Sequence, residues 1–132
     1  MSTRPDDPPD RTGRRLLDAV EVMDRLRSPG GCPWDAEQTH ATLLRYLIEE
    51  CYELVEAVEH DDLTAIREEL GDVLLQVLFH ARIAAERPAD QGGFDIDDVA
   101  AELVDKLVRR HPHVFDAGSG PVWTATDQQR RW

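Results

Sequence analysis

The sequence predicts an all-α protein, a four-helix bundle that assembles into oligomers. Three observations carry that expectation. Apolar residues recur at helical spacing in four long segments, strand-type alternation is nearly missing, and clusters of Gly, Pro and Asp punctuate the chain between the segments. The third segment adds the oligomer. From Val73 to Ala85 it is apolar almost all the way round, and a helix without a polar side must be covered on several sides.

In chain order, residues 1–13 are polar and carry Pro5, Pro8, Pro9 and Gly13, the composition of a flexible N-terminal arm. A first helix is expected from about Thr12 to Arg27, with Leu16, Leu17, Val20 and Met23 on one face and Ser28-Pro29-Gly30-Gly31 as its stop. A loop, Cys32 to Asp35, leads to a second helix from about Thr39 or Ala41 to His60. There Leu44, Leu47, Ile48, Cys51, Val55 and Val58 keep the helical rhythm, and Cys51 is expected in the core. Asp61-Asp62 turn the chain into a third helix, about Leu63 to Glu86. The fourth opens at Asp95, an N-cap with Asp98 three residues on, and ends at Pro112. The expected domain organisation is the arm, a helical domain over 14–115, and a C-terminal tail over 116–132 with a helical end, either natural or truncated.

The chain has 132 residues, enough for one domain. Its net charge of −12 and mean hydropathy of −0.50 disfavour a nucleic-acid polymer or an anionic membrane as partner. A small phosphate ligand is compatible with that charge, because a bound divalent cation inverts the local sign. No apolar run is long enough to span a bilayer, and residues 1–15 lack a signal-peptide core. Two cysteines make neither a disulfide framework nor a metal-type pair, so the cytoplasm is the expected compartment.

The informative chemistry is acidic. Helix two carries Glu49, Glu50, Glu53 and Glu56, and helix three opens with Glu68, Glu69 and Asp72. An acidic run on a helix is ordinarily a solvated face. Here Glu50 and Glu53, and likewise Glu69 and Asp72, are spaced i, i+3, so each pair can reach one point. The short turn makes the two helices antiparallel neighbours, and Glu50 and Asp72 border apolar arcs. Gly71, inside a helix, hints at close backbone approach. Two carboxylates at about 4 Å repel by roughly 4 kcal/mol at an effective dielectric near 20. Such a cluster calls for a cation, and all-oxygen ligation selects Mg²⁺, Mn²⁺ or Ca²⁺.

These residues resemble a known family. Glu49-Glu50-x-x-Glu53 followed by Glu69-x-x-Asp72 is similar to the E-E-x-x-E…E-x-x-D signature of the all-α nucleoside triphosphate pyrophosphohydrolases. Gly31-Cys32-Pro33-Trp34-Asp35, Gln38-Thr39-His40, Glu69-Leu70-Gly71-Asp72, Phe79-His80-Ala81-Arg82 and Arg109 to Phe115 resemble the MazG branch, over nearly the whole chain. The resemblance implies Mg²⁺-dependent hydrolysis of NTPs or dNTPs to the monophosphate and pyrophosphate, in the service of nucleotide-pool housecleaning, with Mn²⁺ as a substitute metal. It implies Glu50, Glu53, Glu69 and Asp72 as metal ligands and Glu49 as the residue that orients or deprotonates the attacking water. It further implies nucleoside triphosphates as partners, and the apolar third segment adds further copies of the chain, in a homodimer or tetramer.

Around this centre, Lys106 and Arg110 share the polar side of helix four, where they either compensate the helix end or, as the resemblance favours, contact the triphosphate. Trp34 either stacks on a base or pins its loop to the core. Asp35 and Gln38 either cap the following helix or contact the nucleotide. Arg109 is expected to be solvent-facing or structural, and Arg82 fits either role. Glu37-x-x-His40 occurs once, at a helix start, whereas a di-iron bundle needs that motif twice inside helices. The rival readings are a pyrophosphohydrolase with one narrow substrate, phosphoribosyl-ATP or a single dNTP, and a catalytically weak helical interaction module.

Overall fold

The computed structural model describes residues 13–116 and 123–132. Among them every regular element is helical, and they divide into two compact units at Phe94 and Asp95. The expected arm lies outside the described residues except for Gly13.

The first unit holds α1 (Arg14–Arg27), α2 (Pro33–Glu37), α3 (His40–Glu59), α4 (Leu63–Ala84) and a short 3₁₀ turn, Ala89–Gln91. Gly30 and Gly31 stop α1 for a steric reason. Gly30 sits at φ +85°, and a Cβ on Gly31 would overlap the carbonyl oxygens of Arg25 and Leu26. The chain can therefore turn tightly enough for the Cys32 amide to reach the Leu26 carbonyl at 2.8 Å. Pro33, at the first position of α2, has no amide to leave unpaired there. The periodicity did not foretell this five-residue helix, which is shorter than the window over which a helical period can be read.

Thr39 caps α3, accepting from the Thr42 amide at 3.2 Å while the Thr42 hydroxyl accepts from the Thr39 amide at 2.8 Å. At the other end Asp61 takes φ 51°, and Asp62 caps α4 by accepting from the Ala65 amide at 3.1 Å. This three-residue turn, His60 to Asp62, folds α4 back along α3, and the two form the most extensive packing of the unit. α1 packs on α4. Met23, Leu43, Leu78, Phe79, Ala81 and Ala84 are buried between these helices.

Ion pairs fasten α1 to α4. The Arg27 guanidinium donates to both oxygens of Glu86, at 2.7 and 3.0 Å, and to the Asp35 and Gln38 carbonyls at 2.7 and 2.8 Å. Arg82 donates to Asp24 at 2.9 Å and to Glu86 at 2.8 Å, so its role is structural.

Two local expectations are corrected. Cys51 is exposed rather than core, because it stands one position off the α3 seam of Leu43, Leu47, Glu50, Leu54 and Ala57. Gly71 faces open space, so a side chain there would meet nothing and no close backbone approach explains it.

The second unit holds α5 (Ile96–Arg110), α6 (Pro112–Phe115) and α7 (Ala125–Arg131). Asp95 caps α5 reciprocally with Asp98, as the sequence indicates. Within this unit Gln128 donates to the Arg110 carbonyl at 3.0 Å, and the Arg110 guanidinium lies 5.4 Å from the centre of the Trp132 ring.

Candidate metal and nucleotide site

The α3–α4 hairpin builds the site by symmetry about its turn. Glu50 and Asp72 each stand eleven residues from Asp61, and Glu53 and Glu69 each stand eight. Antiparallel packing therefore brings the two i, i+3 pairs to the same level. One carboxylate oxygen from each of the four lies within 4.8 Å of the others. Oxygens on opposite sides of one Mg²⁺ are separated by about 4.2 Å, so the spacing suits divalent-cation ligation with little adjustment.

The electrostatics agree with the geometry. Glu50 is half-buried, and its carboxyl is pushed up to about 7, first by burial and then by the negative charges of Asp72 and Glu53, a shared hydrogen bond with Glu53, and Glu69. The same causes, burial first and then Glu53, raise Glu69 above the usual carboxylate range. One oxygen of Glu50 and one of Glu69 are enclosed with no hydrogen-bond partner among the described residues. Enclosed carboxylate oxygens that find neither a donor nor a cation are costly, and a hard cation would satisfy both. Glu49, next to Glu50 on α3, is exposed and stands outside the group of four.

Trp34 belongs to α2 and Gln38 follows its last residue, just before the Thr39 cap of α3. Trp34 is 48% exposed, with its ring edge-on to Tyr46 at 5.7 Å and to Phe79 at 6.5 Å between centres. It is thus braced on one side and open on another. Gln38 is buried, and both ends of its amide are engaged: Nε2 donates to the Trp34 carbonyl at 2.9 Å, and Oε1 accepts from the Thr42 hydroxyl at 2.8 Å. The side chain braces the Trp34 turn. Lys106 and Arg110 belong to the second unit, Lys106 exposed on α5 and Arg110 beside Trp132. Arg109 pairs with Asp105 at 3.3 Å on the surface.

One feature escaped the sequence reading. His40 and His80 stack in parallel, 5.0 Å between ring centres, with their Nδ1 atoms 2.7 Å apart. The hairpin symmetry that pairs the carboxylates sets these two within a turn of each other, so the register was the signal that could have found them.

Comparison with known proteins places this arrangement. Residues 38–115 match the family model of the MazG nucleotide pyrophosphohydrolase domain. A nucleoside triphosphate pyrophosphohydrolase/pyrophosphatase MazG of Thermotoga maritima is 57% identical over 76% of this chain and 38% of its own length. A nucleoside triphosphate pyrophosphohydrolase of Mycobacterium tuberculosis is 51% identical over 95% of this chain and 36% of its own. An uncharacterized 26.1 kDa protein of Streptomyces cacaoi is 58% identical over 93% of this chain and 48% of its own. The chain thus spans less than half the length of these relatives. The crystal structure of a mazG-related protein from Thermotoga maritima superposes with a TM-score of 0.64 at 30% identity, covering 90% of this chain and 94% of that one. With the family model matched over more than half its length, this chain belongs to the MazG nucleotide pyrophosphohydrolase domain family.

Proposed function

We propose that the protein hydrolyses nucleoside triphosphates, NTPs or dNTPs, to the monophosphate and pyrophosphate with Mg²⁺, as a cytoplasmic housecleaner of nucleotide pools. The observation that carries this reading is the group of four carboxylates, two with enclosed and unpartnered oxygens, on the hairpin of a MazG-family chain. Relatives named nucleoside triphosphate pyrophosphohydrolase support the reaction class.

Glu50, Glu53, Glu69 and Asp72 would hold Mg²⁺, with Mn²⁺ as substitute. Bound there, the metal supplies Lewis acidity toward water and phosphate and offsets the charge of the leaving group. Glu49 accepts the proton of the attacking water, its exposure leaving it free to exchange that proton with solvent. The water oxygen forms its bond to the α-phosphorus as the bond from that phosphorus to the bridging oxygen breaks, and pyrophosphate leaves with the electron pair. Lys106 and Arg110 contribute positive charge to the triphosphate, and Trp34 offers its open face to the base. Gln38 serves this site by bracing Trp34 rather than by touching the nucleotide.

The assembly belongs to the same proposal. Leu44, Ile48, Tyr52 and Val55 form an exposed apolar stripe along α3, and Leu70, Leu74 and Val77 are exposed on α4. A second copy of the chain covers these faces in a homodimer or tetramer.

Product analysis over a panel of NTPs and dNTPs, with and without Mg²⁺, tests the reaction. Monophosphate and pyrophosphate appearing only with metal are expected. Release of orthophosphate and a diphosphate would mean a different bond is cut and would overturn the reading.

A further inference from the structure

The carboxylate cluster is not the end of the polar seam between α3 and α4. At 100° per residue, Gln76 falls on the arc of α4 between Glu69 and Asp72, and His80 stands only about 20° beyond Glu69. Both therefore lie on the side of α4 that carries the cluster, about 6 and 12 Å further along the helix than Asp72. The contact of His80 with His40 of α3 is in keeping with that direction.

Gln76 is 5% exposed, yet its Oε1 is enclosed without a hydrogen-bond partner, and no bond from its amide nitrogen is found among the described residues. Nε2 of His80 is likewise enclosed and unpartnered, while its Nδ1 is engaged by His40. Buried amides are nearly always satisfied, and one left open reduces stability. Apolar residues of similar volume would serve α4 better if packing were the only requirement. Beside this stretch stand Phe79, the next residue to His80, and Trp34 edge-on to it.

We infer that Gln76 and His80 form the nucleoside subsite, with the Gln76 amide hydrogen-bonding the sugar and Nε2 of His80 hydrogen-bonding the base edge or the sugar's far side. The inference rests on the nucleoside triphosphate reading and deepens it. The order along α4 matches the order of groups in the ligand: phosphates at Glu69 and Asp72, sugar at Gln76 one turn on, base at His80 and Trp34 a turn beyond. The tautomer of the His40–His80 pair decides whether Nε2 presents a proton or a lone pair, so His40 contributes to the preference for a base.

The test is equilibrium binding, measured by calorimetry with Mg²⁺ present, of a panel of nucleoside 5′-monophosphates and of inorganic pyrophosphate. Wild type, Gln76→Leu and His80→Phe are compared, and thermal melts report folding. For Gln76→Leu, monophosphate affinity should fall about tenfold, the scale of one hydrogen bond, while pyrophosphate affinity stays within about twofold. Its melting temperature should be equal or higher, because an unsatisfied amide has been replaced by an apolar group. His80→Phe should weaken some bases more than others. Unchanged monophosphate affinity in both variants would overturn the inference. So would equal losses for monophosphate and pyrophosphate, or a lower melting temperature with unaltered affinities, the signature of an amide satisfied by ordered water. Wild type that binds pyrophosphate but no monophosphate removes the subsite alone. Wild type that binds neither overturns the nucleotide reading, and the subsite with it.

Discussion

Gln38 donates its side-chain amide to the Trp34 carbonyl at 2.9 Å, tying the buried start of α3 to a half-exposed indole. The tie helps explain why a Trp on the short helix α2, just after the Gly/Pro stop of α1, has a fixed orientation. Its ring is braced by Tyr46 and Phe79, and its turn is held by Gln38, whose carbonyl in turn accepts from Arg27. We expect Trp34→Ala to raise KM for nucleoside triphosphates about tenfold, with little change in the affinity for pyrophosphate, as stacking on a base is worth roughly 1–3 kcal/mol. Trp34→Phe should recover part of the loss. Steady-state kinetics across the series checks it, and an unchanged KM would leave Trp34 only to pin α2 to the core.

The four carboxylates are expected to act as a unit. Glu53 and Asp72 are exposed, so Glu53→Gln and Asp72→Asn should leave helix content intact by circular dichroism while reducing kcat by at least about 100-fold. The double variant should be scarcely worse than either single one, because the ligands hold one centre. Full activity in both single variants would show that the metal is held elsewhere.

How much of this was legible in the sequence depends on range. The carboxylate pairs were visible because i, i+3 spacing and a short turn are local facts, and the hairpin then carries one pair to the other. α2 was not visible, since five residues opened by Pro33 offer no period to read. Cys51 was misplaced because on an amphipathic helix with a wide apolar arc the side that meets α4 is set by tertiary packing, and that side is the Leu43–Leu47–Leu54 line. The His40–His80 contact joins residues 40 apart, and the Arg27–Glu86 pair joins residues 59 apart. Neither has a local signature. The engagement of both ends of Gln38 is set by the packing of α2 against the start of α3, which has no signature in the sequence, and it makes a nucleotide-contact candidate a brace.

The metal-free protein should lose stability as pH rises. Burial and the neighbouring carboxylates push the Glu50 carboxyl from its ordinary 4.5 up to about 7 in the folded chain, so between those values the folded chain holds a proton that the unfolded chain has released. Stability must then fall with rising pH across that window, and the penalty is complete above about 7. On the proposed metal assignment Mg²⁺ would remove it by neutralising the cluster, so the stabilisation by metal should be larger at pH 8 than at pH 5. Thermal melts with chelator and with Mg²⁺ at the two pH values measure this. A metal-induced shift that is equal at both would contradict the assignment.

The Arg27–Glu86 pair responds to pH in the opposite sense. The hydrogen bonds from Arg27, and the charges of Arg27 and Arg82, hold Glu86 below the usual carboxylate range despite some burial. Its contribution is present above the unfolded-state pKa and is lost as pH falls through the lower folded-state value. Arg27→Met removes the donor to Glu86 and to two backbone carbonyls, from a side chain that is itself only 9% exposed. A loss of about 2–3 kcal/mol is expected. Glu86→Gln should cost less, since Gln can still accept from Arg27. Chemical denaturation of both variants gives the comparison, and equal losses would assign the stabilisation to the charge rather than to the guanidinium's contacts.

Lys106 is the only lysine of the chain and stands exposed on α5, three residues before an arginine whose partner is known. Arg109 pairs with Asp105, so it supplies an internal control: a cation on the same helix whose charge is already matched. If Lys106 serves the triphosphate, Lys106→Ala should raise KM about tenfold with a smaller effect on kcat, and the penalty should shrink at high ionic strength, where an exposed charge is screened in wild type as well. Arg109→Ala should leave both constants near wild type. Arg110→Ala combines two effects, loss of charge and loss of the contact with Trp132, so its KM change should exceed that of Arg110→Lys. If Lys106→Ala and Arg109→Ala behave alike, the lysine offers no more than compensation of the helix end, and the positive charge needed by the triphosphate must come from another residue.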